Sequence, residues 1–263
     1  MKNFRFKFVI AVNFFYILRT IPKINRMLKS DKYTDQEYFD YAYKIINRVR
    51  KKARTRTDTF GLENVPKEDG YILYSNHQGK YDALGILLSL EGRPCSVLWE
   101  KKQATRLLSR QIVGLIRAIP IDLTDMKEKV RAISEVTKEV SEGRSFLIFP
   151  EGGYKDNHNN LQEFQHGCFS VALKSKAPIV PVAIYDSYKS LNSNTLERVV
   201  TQVHFLKPIY KEEYEGLSKQ ELSELVKARI AEKLNEIAIE KEKQKKLKKQ
   251  KKKSNSDPVI TEE

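Results

Sequence analysis

Between residues 57 and 210 short apolar runs alternate with longer amphipathic stretches, and this alternation restricts the fold more than any other feature of the chain. The runs cover 71–74, 96–99, 118–121, 146–149, 179–185 and 199–206. Stretches of helical period lie near 82–91, 103–116, 125–142 and 164–176. Strands separated by helices imply βαβ crossovers, hence an α/β fold with a mostly parallel sheet flanked by helices. In such sheets ligands sit beyond the carboxyl ends of the strands. The loops that follow the runs are therefore where chemistry is expected.

The chain has 263 residues, room for one such domain with attachments. It divides into an N-terminal segment 1–56, a domain 57–214 and a C-terminal segment 215–263. Residues 1–56 carry net +11, residues 57–240 net −2, residues 241–253 net +8, and residues 254–263 net −3. A nucleic-acid enzyme spreads cations through its working domain. Basic ends around a neutral middle fit an anionic membrane surface instead, with no specific nucleic acid partner. No apolar run reaches the roughly 18 residues needed to span a bilayer, which excludes a polytopic transporter. Cys95 and Cys168 form no CxxC pair, so neither a disulfide scaffold nor a cysteine metal site is expected, and the expected compartment is reducing.

At the N-terminus Lys2, Arg5 and Lys7 precede an apolar stretch from Phe8 to Leu18, broken by Asn13. As a helix it rises only ~16 Å, about half of a hydrocarbon core. No small-residue cleavage site follows, so an interfacial helix is expected rather than a cleaved signal. Phe4, Phe6, Phe14, Phe15 and Tyr16 would enter the acyl boundary. A second helix is expected over 35–54, where Tyr38, Tyr41, Ala42, Ile45, Ile46 and Val49 recur at three- and four-residue spacing. The plain reading packs this second helix on the core by its apolar face; a membrane-facing side added to it makes the two an N-terminal interfacial two-helix segment. Residues 217–247 have helical character and run into a lysine block expected to be a solvated, disordered tail.

Two loops carry candidate chemistry. After the run 71–74 come Ser75, Asn76, His77, Gln78, Gly79, Lys80, Tyr81 and Asp82. On a continuous helix side chains five apart point ~140° away from each other. A loop that doubles back at Gly79 would instead bring the Asp82 carboxylate to one imidazole nitrogen of His77 and leave the other for a substrate. An imidazole ordinarily titrates near neutrality and can take an alcohol proton; a carboxylate steadies the imidazolium. The plainer alternative makes His77 a loop residue and Asp82 a helix cap. After the run 146–149 come Pro150, Glu151, Gly152, Gly153, Tyr154 and Lys155. Paired glycines let backbone N–H groups approach an anionic oxygen, and Lys155 adds a cation; a simple turn reads equally well. His158 and His166 are not at metal-binding spacing, and no metal is expected.

Taken in order, these segments resemble the lysophospholipid/glycerol-3-phosphate acyltransferase family, in particular bacterial 1-acyl-glycerol-3-phosphate acyltransferases. Gly61, Leu62, Glu63, Asn64, Val65 and Pro66 resemble the lead-in, and Asn76, His77 and Asp82 the His-x-x-x-x-Asp block. Phe149, Pro150, Glu151 and Gly152 resemble the acceptor block, Phe164 and Gly167 a Phe-x-x-Gly element, and Ile179, Val180, Pro181 and Val182 the last block. The resemblance covers about residues 57–210. It implies a glycerolipid acyltransferase-like fold and direct transfer of an acyl group from an acyl thioester, acyl-CoA or acyl-carrier protein, to a lysophospholipid acceptor, with no cofactor. His77 would be the base and Asp82 its orienter. Asn76, Lys101, Arg117, Glu151, Gly152, Gly153 and Lys155 would bind substrate, and Lys80 or backbone donors would steady the oxyanion. The place of action would be the cytoplasmic face of the cell membrane, on a peripheral or monotopic protein.

Two departures bear on the acceptor. The family usually has Thr-Arg-Ser after Phe-Pro-Glu-Gly, where this chain has Gly153, Tyr154 and Lys155; and Leu123 stands where an arginine follows Ile-Asp. Lysine does not reproduce the bidentate fork that arginine offers a phosphate. A lysophospholipid without a terminal phosphate is therefore a second possible acceptor, and a non-enzymatic membrane- or RNA-tethering protein a rival of another class. Deletion of 241–263 separates that rival, which would lose its activity, from an acyltransferase, which would keep it.

Overall fold

The computed structural model describes residues 4–68, 70–102 and 109–254. A seven-stranded sheet comprises β1 (Thr55–Phe60), β2 (Ile72–Ser75), β3 (Ser96–Glu100), β4 (Ile119–Ile121), β5 (Phe146–Ile148), β6 (Ile179–Tyr185) and β7 (Val199–Phe205), in the order β1-β7-β6-β2-β5-β3-β4. The strands from β6 to β4 are mutually parallel. β7 runs antiparallel to β6, and β1 pairs parallel to β7, so the sheet is mostly parallel with a reversed edge.

Alternation within the strands sorts their side chains into two cores. Leu73, Val97, Leu147, Val180 and Val182 face one side, where they meet α2 (Phe14–Met27), α3 (Asp35–Lys52), α4 (Asp82–Ser89) and α5 (Ser109–Leu115). Ile72, Tyr74, Phe146, Ile148 and Ile179 face the other, covered by α6 (Met126–Ser141), α7 (Ser170–Ser175) and α9 (Lys219–Ser254). Among the described residues the remaining α-helices are α1 (Phe4–Val12) and the single turn α8 (Lys211–Tyr214). Burial on both faces is what the continuous apolar runs required.

The N-terminal segment differs from the expected two helices. Helix α1 ends at Asn13, whose side chain donates to the Val9 carbonyl at 2.7 Å and accepts from Arg48 Nε at 2.8 Å. The apolar stretch is thereby split into α1 and α2, and α3 follows. Ile17, Ile24 and Met27 share a core with Tyr38, Ile45, Leu73 and Val180, so these helices are a layer of the domain and the boundary at 56 separates no independent core. Helix α3 opens with a capping box in which Thr34 and Glu37 satisfy each other's backbone N–H groups. Among the described residues no helix is long and apolar enough to cross a membrane.

The lysine block is also not a disordered tail over its described part: α9 continues as a helix through Ser254. Residues 255–263, and 103–108 of the expected helix 103–116, lie outside the described residues. Strand β1 has no apolar run to announce it. Its threonines hold it instead, Thr57 Oγ1 lying 2.8 Å from Tyr81 Oη and 3.0 Å from Thr201 Oγ1.

Candidate active site

Strands β2 and β5 are adjacent and parallel, so the loops that follow them emerge side by side at the carboxyl edge of the sheet. The loop after β2 does double back. His77 Nδ1 lies 2.6 Å from Asp82 Oδ2, and Asp82 is the first residue of α4, 1% exposed. Oδ2 also accepts from the backbone N–H groups of Gln78 at 2.5 Å and Gly79 at 2.8 Å. Oδ1 accepts from the Ser187 hydroxyl at 2.5 Å. The two backbone N–H groups can only donate, so Oδ2 is held as an acceptor, and the imidazole and the Ser187 hydroxyl complete the shell of the side chain. Gly79 packs closely here: a Cβ would meet the Asn192 side chain at 2.9 Å and require that side chain to shift.

With Nδ1 committed to Asp82, Nε2 is the nitrogen left for a substrate. The imidazole is stacked on Phe149 with centroids 4.3 Å apart and meets Tyr154 edge-on at 4.8 Å. Its side chain is 19% exposed, enough for a proton acceptor that must also be held in one orientation. The loop after β5 braces the arrangement. Glu151 Oε1 accepts from the His77 backbone N–H at 3.2 Å, and Oε2 from Gln162 Nε2 at 2.5 Å. Burial pushes the Glu151 carboxyl above its ordinary range, and the hydrogen bonds from Gln162 and His77 offset that only in part. Gly152 adopts φ +69° and Gly153 φ +151°, conformations that disfavour a side chain. The Gly153 carbonyl accepts from Gln162 at 2.7 Å.

The other sequence candidates divide. Asn76 is fully buried: its amide donates to the Ile184 carbonyl at 3.1 Å and its oxygen accepts from the Ile184 N–H at 2.8 Å. It joins the end of β2 to β6 beneath the site and is in no position to touch substrate. Asn76→Ala leaves both backbone groups of Ile184 without this partner, so a loss of about 2–4 kcal/mol in a denaturant titration is expected. Arg117 is corrected outright. It precedes β4 rather than following it, and so lies at the amino edge, where Nε binds Asp35 at 2.7 Å and the guanidinium sits over Tyr38. Lys101 is exposed at the carboxyl end of β3, and Lys155 is exposed in the loop after β5. Lys80 leans toward Phe6 and the Asn192 side chain.

Sequence reasoning missed Ser187, Gln162, Phe149 and Tyr154 as members of this site. Ser187 carries the clearest signal in retrospect, a polar residue just past a strand buried along most of its length. Its backbone N–H also binds Gln78 Oε1 at 2.9 Å. Ser187→Ala removes a hydrogen bond to a charged group, and a fall in kcat of roughly ten- to a hundredfold is expected. Unchanged KM, and partial recovery in Ser187→Thr, would distinguish orientation of Asp82 from a general loss of structure. Cys168 is buried, its thiol pushed up to about 12 by desolvation, which leaves it protonated and inert. Among the described residues no group of three His, Cys, Asp or Glu is placed to hold a metal.

A buried acid, an oriented imidazole and a glycine turn meet at the carboxyl edge of an α/β sheet, the geometry that a general base requires. The family described as Acyltransferase matches residues 56–185, the segment that holds both loops of the site. A 1-acyl-sn-glycerol-3-phosphate acyltransferase of Borreliella burgdorferi is 29% identical over 185 residues, covering 68% of this chain and 72% of the relative. The chloroplastic enzyme BAT2 of Brassica napus, with the same activity in its name, is 28% identical over 188 residues, covering 68% of this chain and 51% of the relative. The human alpha enzyme of that name is 28% identical over 159 residues, with 59% and 55% covered. The chain thus spans about half the length of the plant and human relatives. The crystal structure of the 1-acyl-sn-glycerophosphate acyltransferase PlsC from Thermotoga maritima has the same fold, with TM-score 0.72 at 18% identity over 89% of this chain and 93% of that one.

Proposed function

We propose that this protein is an O-acyltransferase that moves a fatty acyl group from an acyl thioester to the free hydroxyl of 1-acyl-glycerol-3-phosphate, giving phosphatidic acid. The observation that carries this reading is the 2.6 Å contact between His77 Nδ1 and the buried Asp82, which fixes the tautomer and turns Nε2 into the base. Nε2 takes the proton of the acceptor hydroxyl while its oxygen forms a bond to the thioester carbonyl carbon. Collapse of the tetrahedral adduct breaks the carbon–sulfur bond, and the departing sulfur takes the proton back from His77. The donor is acyl-CoA or an acyl-carrier protein. The named activities of the relatives support the choice of acceptor.

The second acceptor reading, a lysophospholipid without a terminal phosphate, has its own support. Tyr154 stands against the imidazole and Leu123 lies beside Gly152, where the family usually carries arginines. Purified protein in neutral detergent, offered each donor with a panel of lysolipids, tests both: 1-acyl-glycerol-3-phosphate is expected to give the highest kcat/KM. Preference for an uncharged or zwitterionic headgroup would replace the first acceptor by the second, and no turnover with any pair would remove the enzymatic reading.

The seat of the reaction in this reading is the cytoplasmic leaflet. Helix α1 lies at the catalytic edge, for Arg5 donates to the carbonyls of Thr195 and Glu197 in the β6–β7 loop at 2.7 and 2.5 Å. The corner between α1 and α2 exposes Val12, Phe14, Phe15 and Leu18, with Phe15 84% exposed. An apolar corner beside a base lets the active site approach a lipid alcohol without a membrane span. A deletion that separates the tethering rival should begin after Lys241, because Lys241 is tied to the domain.

A further inference from the structure

Beyond Lys241, the side chains of α9 from Glu242 to Lys248 are exposed. Leu222, Val226 and Ile230 are fully buried against the sheet, and Leu234 and Ile237 nearly so. The final anchor is Lys241, whose Nζ lies 2.8 Å from Asp186 Oδ2 and 4.4 Å from the centre of the Tyr185 ring. Asp186 also accepts from Lys189 at 2.8 Å and from Asn159 at 3.0 Å, and the next residue is Ser187, which holds Asp82. The helix is therefore fastened at the carboxyl end of β6, on the same edge as His77. The 13 residues from Glu242 to Ser254 add ~20 Å of helix past that anchor. They comprise eight lysines and one acid, Glu242, which pairs with Lys246 at 3.1 Å. Lys243, Lys245, Lys246 and Lys248 are exposed.

We propose that this lysine-bearing end of α9 is an electrostatic docking surface for the anionic headgroups of a phospholipid bilayer, presented at the catalytic edge. Three observations select the occupant. The segment contains neither an aromatic residue nor an arginine, the groups that stack on or fork to nucleic acid. Lysines on a helix suffice for an anionic leaflet, which asks for charge density and no shape. Helix α1 starts at the same edge, on the opposite face of the sheet, where Arg5 binds the loop that also receives Lys241, and it leads into the exposed corner with α2. His77 is thus flanked by an apolar contact on one side and a cationic contact on the other. The surface gains its purpose from the proposed reaction at a membrane, but its test reads binding and stands apart from catalysis.

The test is sedimentation of the full chain with phosphatidylcholine vesicles, with and without roughly a third of phosphatidylglycerol. Wild-type protein should bind the anionic vesicles more tightly, and added salt should erase the difference. The quadruple variant K243Q/K245Q/K246Q/K248Q should bind them roughly a hundredfold or more weakly, at about tenfold lost per two lysines at the least. Its thermal transition should not move, because these side chains are exposed. Phe15→Ser should weaken binding to both kinds of vesicle alike. Equal binding of anionic vesicles by wild type and the quadruple variant would overturn the proposal. So would a loss of affinity for single-stranded RNA with vesicle binding intact. A wild-type chain that binds as expected but transfers no acyl group would leave this surface standing and remove the enzymatic reading instead.

Discussion

His77→Ala is expected to lower kcat by about 10²- to 10⁴-fold, the range that a positioned general base supplies. The ring sits between Phe149 and Tyr154, centroids 4.3 and 4.8 Å away, so its removal also deletes two aromatic contacts. Such pairs contribute roughly 0.5–1.5 kcal/mol each, enough to shift a melting curve by several degrees without unfolding the chain. Rate and stability should therefore separate: thiol release from the thioester donor collapses while circular dichroism and a cooperative melt persist. Turnover within tenfold of the wild type in a folded variant would remove His77 from the mechanism.

That the expectation can be stated at all owes much to one loop. The spacing of His77 and Asp82 is incompatible with contact on a helix, and Gly79 stands between them. These facts made contact conditional on a turn that doubles back, which Gly79 permits. What the sequence did not disclose is the room the turn needs, which is set by Asn192 more than a hundred residues away. The same holds for Ser187. Its hydroxyl completes the carboxylate's shell, yet nothing local to residue 187 indicates that β6 ends opposite α4. Long-range partners of this kind follow from strand order, and the order β6-β2-β5 is invisible in a list of apolar runs.

Elsewhere the legible and the hidden divide along the same line. The runs at 71–74, 96–99, 118–121, 146–149, 179–185 and 199–206 became β2 to β7 within a residue or two, because strands buried on both faces must be continuously apolar. Strand β1, at the reversed edge, pairs through polar Thr55, Thr57 and Thr59, so no run announced it. Arg117 enters the sequence reading as a cation that could stand in for the arginines this chain lacks. The parallel register places the residue before β4 at the opposite edge from the residue after it, and no motif spacing records that polarity. The lysine block read as a tail since like charges disfavour an isolated helix. Docking of Leu222 through Ile237, with Lys241 clamped to Asp186, supplies the nucleus from which that helix propagates.

Asp82→Asn should separate charge from geometry. The side chain receives His77 Nδ1, Gln78 N and Gly79 N on one oxygen and Ser187 Oγ on the other. An asparagine can present its oxygen to the three nitrogen donors and its amide to Ser187, whose hydroxyl is free to rotate and accept. The loop and the tautomer of His77 should then survive, and only the negative charge beside the forming imidazolium is lost. Removing one member of a buried ion pair costs roughly 3–5 kcal/mol, which as a barrier corresponds to a fall in kcat of about 10²- to 10⁴-fold. KM should change little, because Asp82 is 1% exposed and cannot reach a substrate. Asp82→Ala, by contrast, leaves the backbone N–H groups of Gln78 and Gly79 without an acceptor and should destabilise the fold as well. If Asp82→Asn retains near wild-type kcat with an unchanged melt, the carboxylate is an architectural cap, and the base must act without its charge.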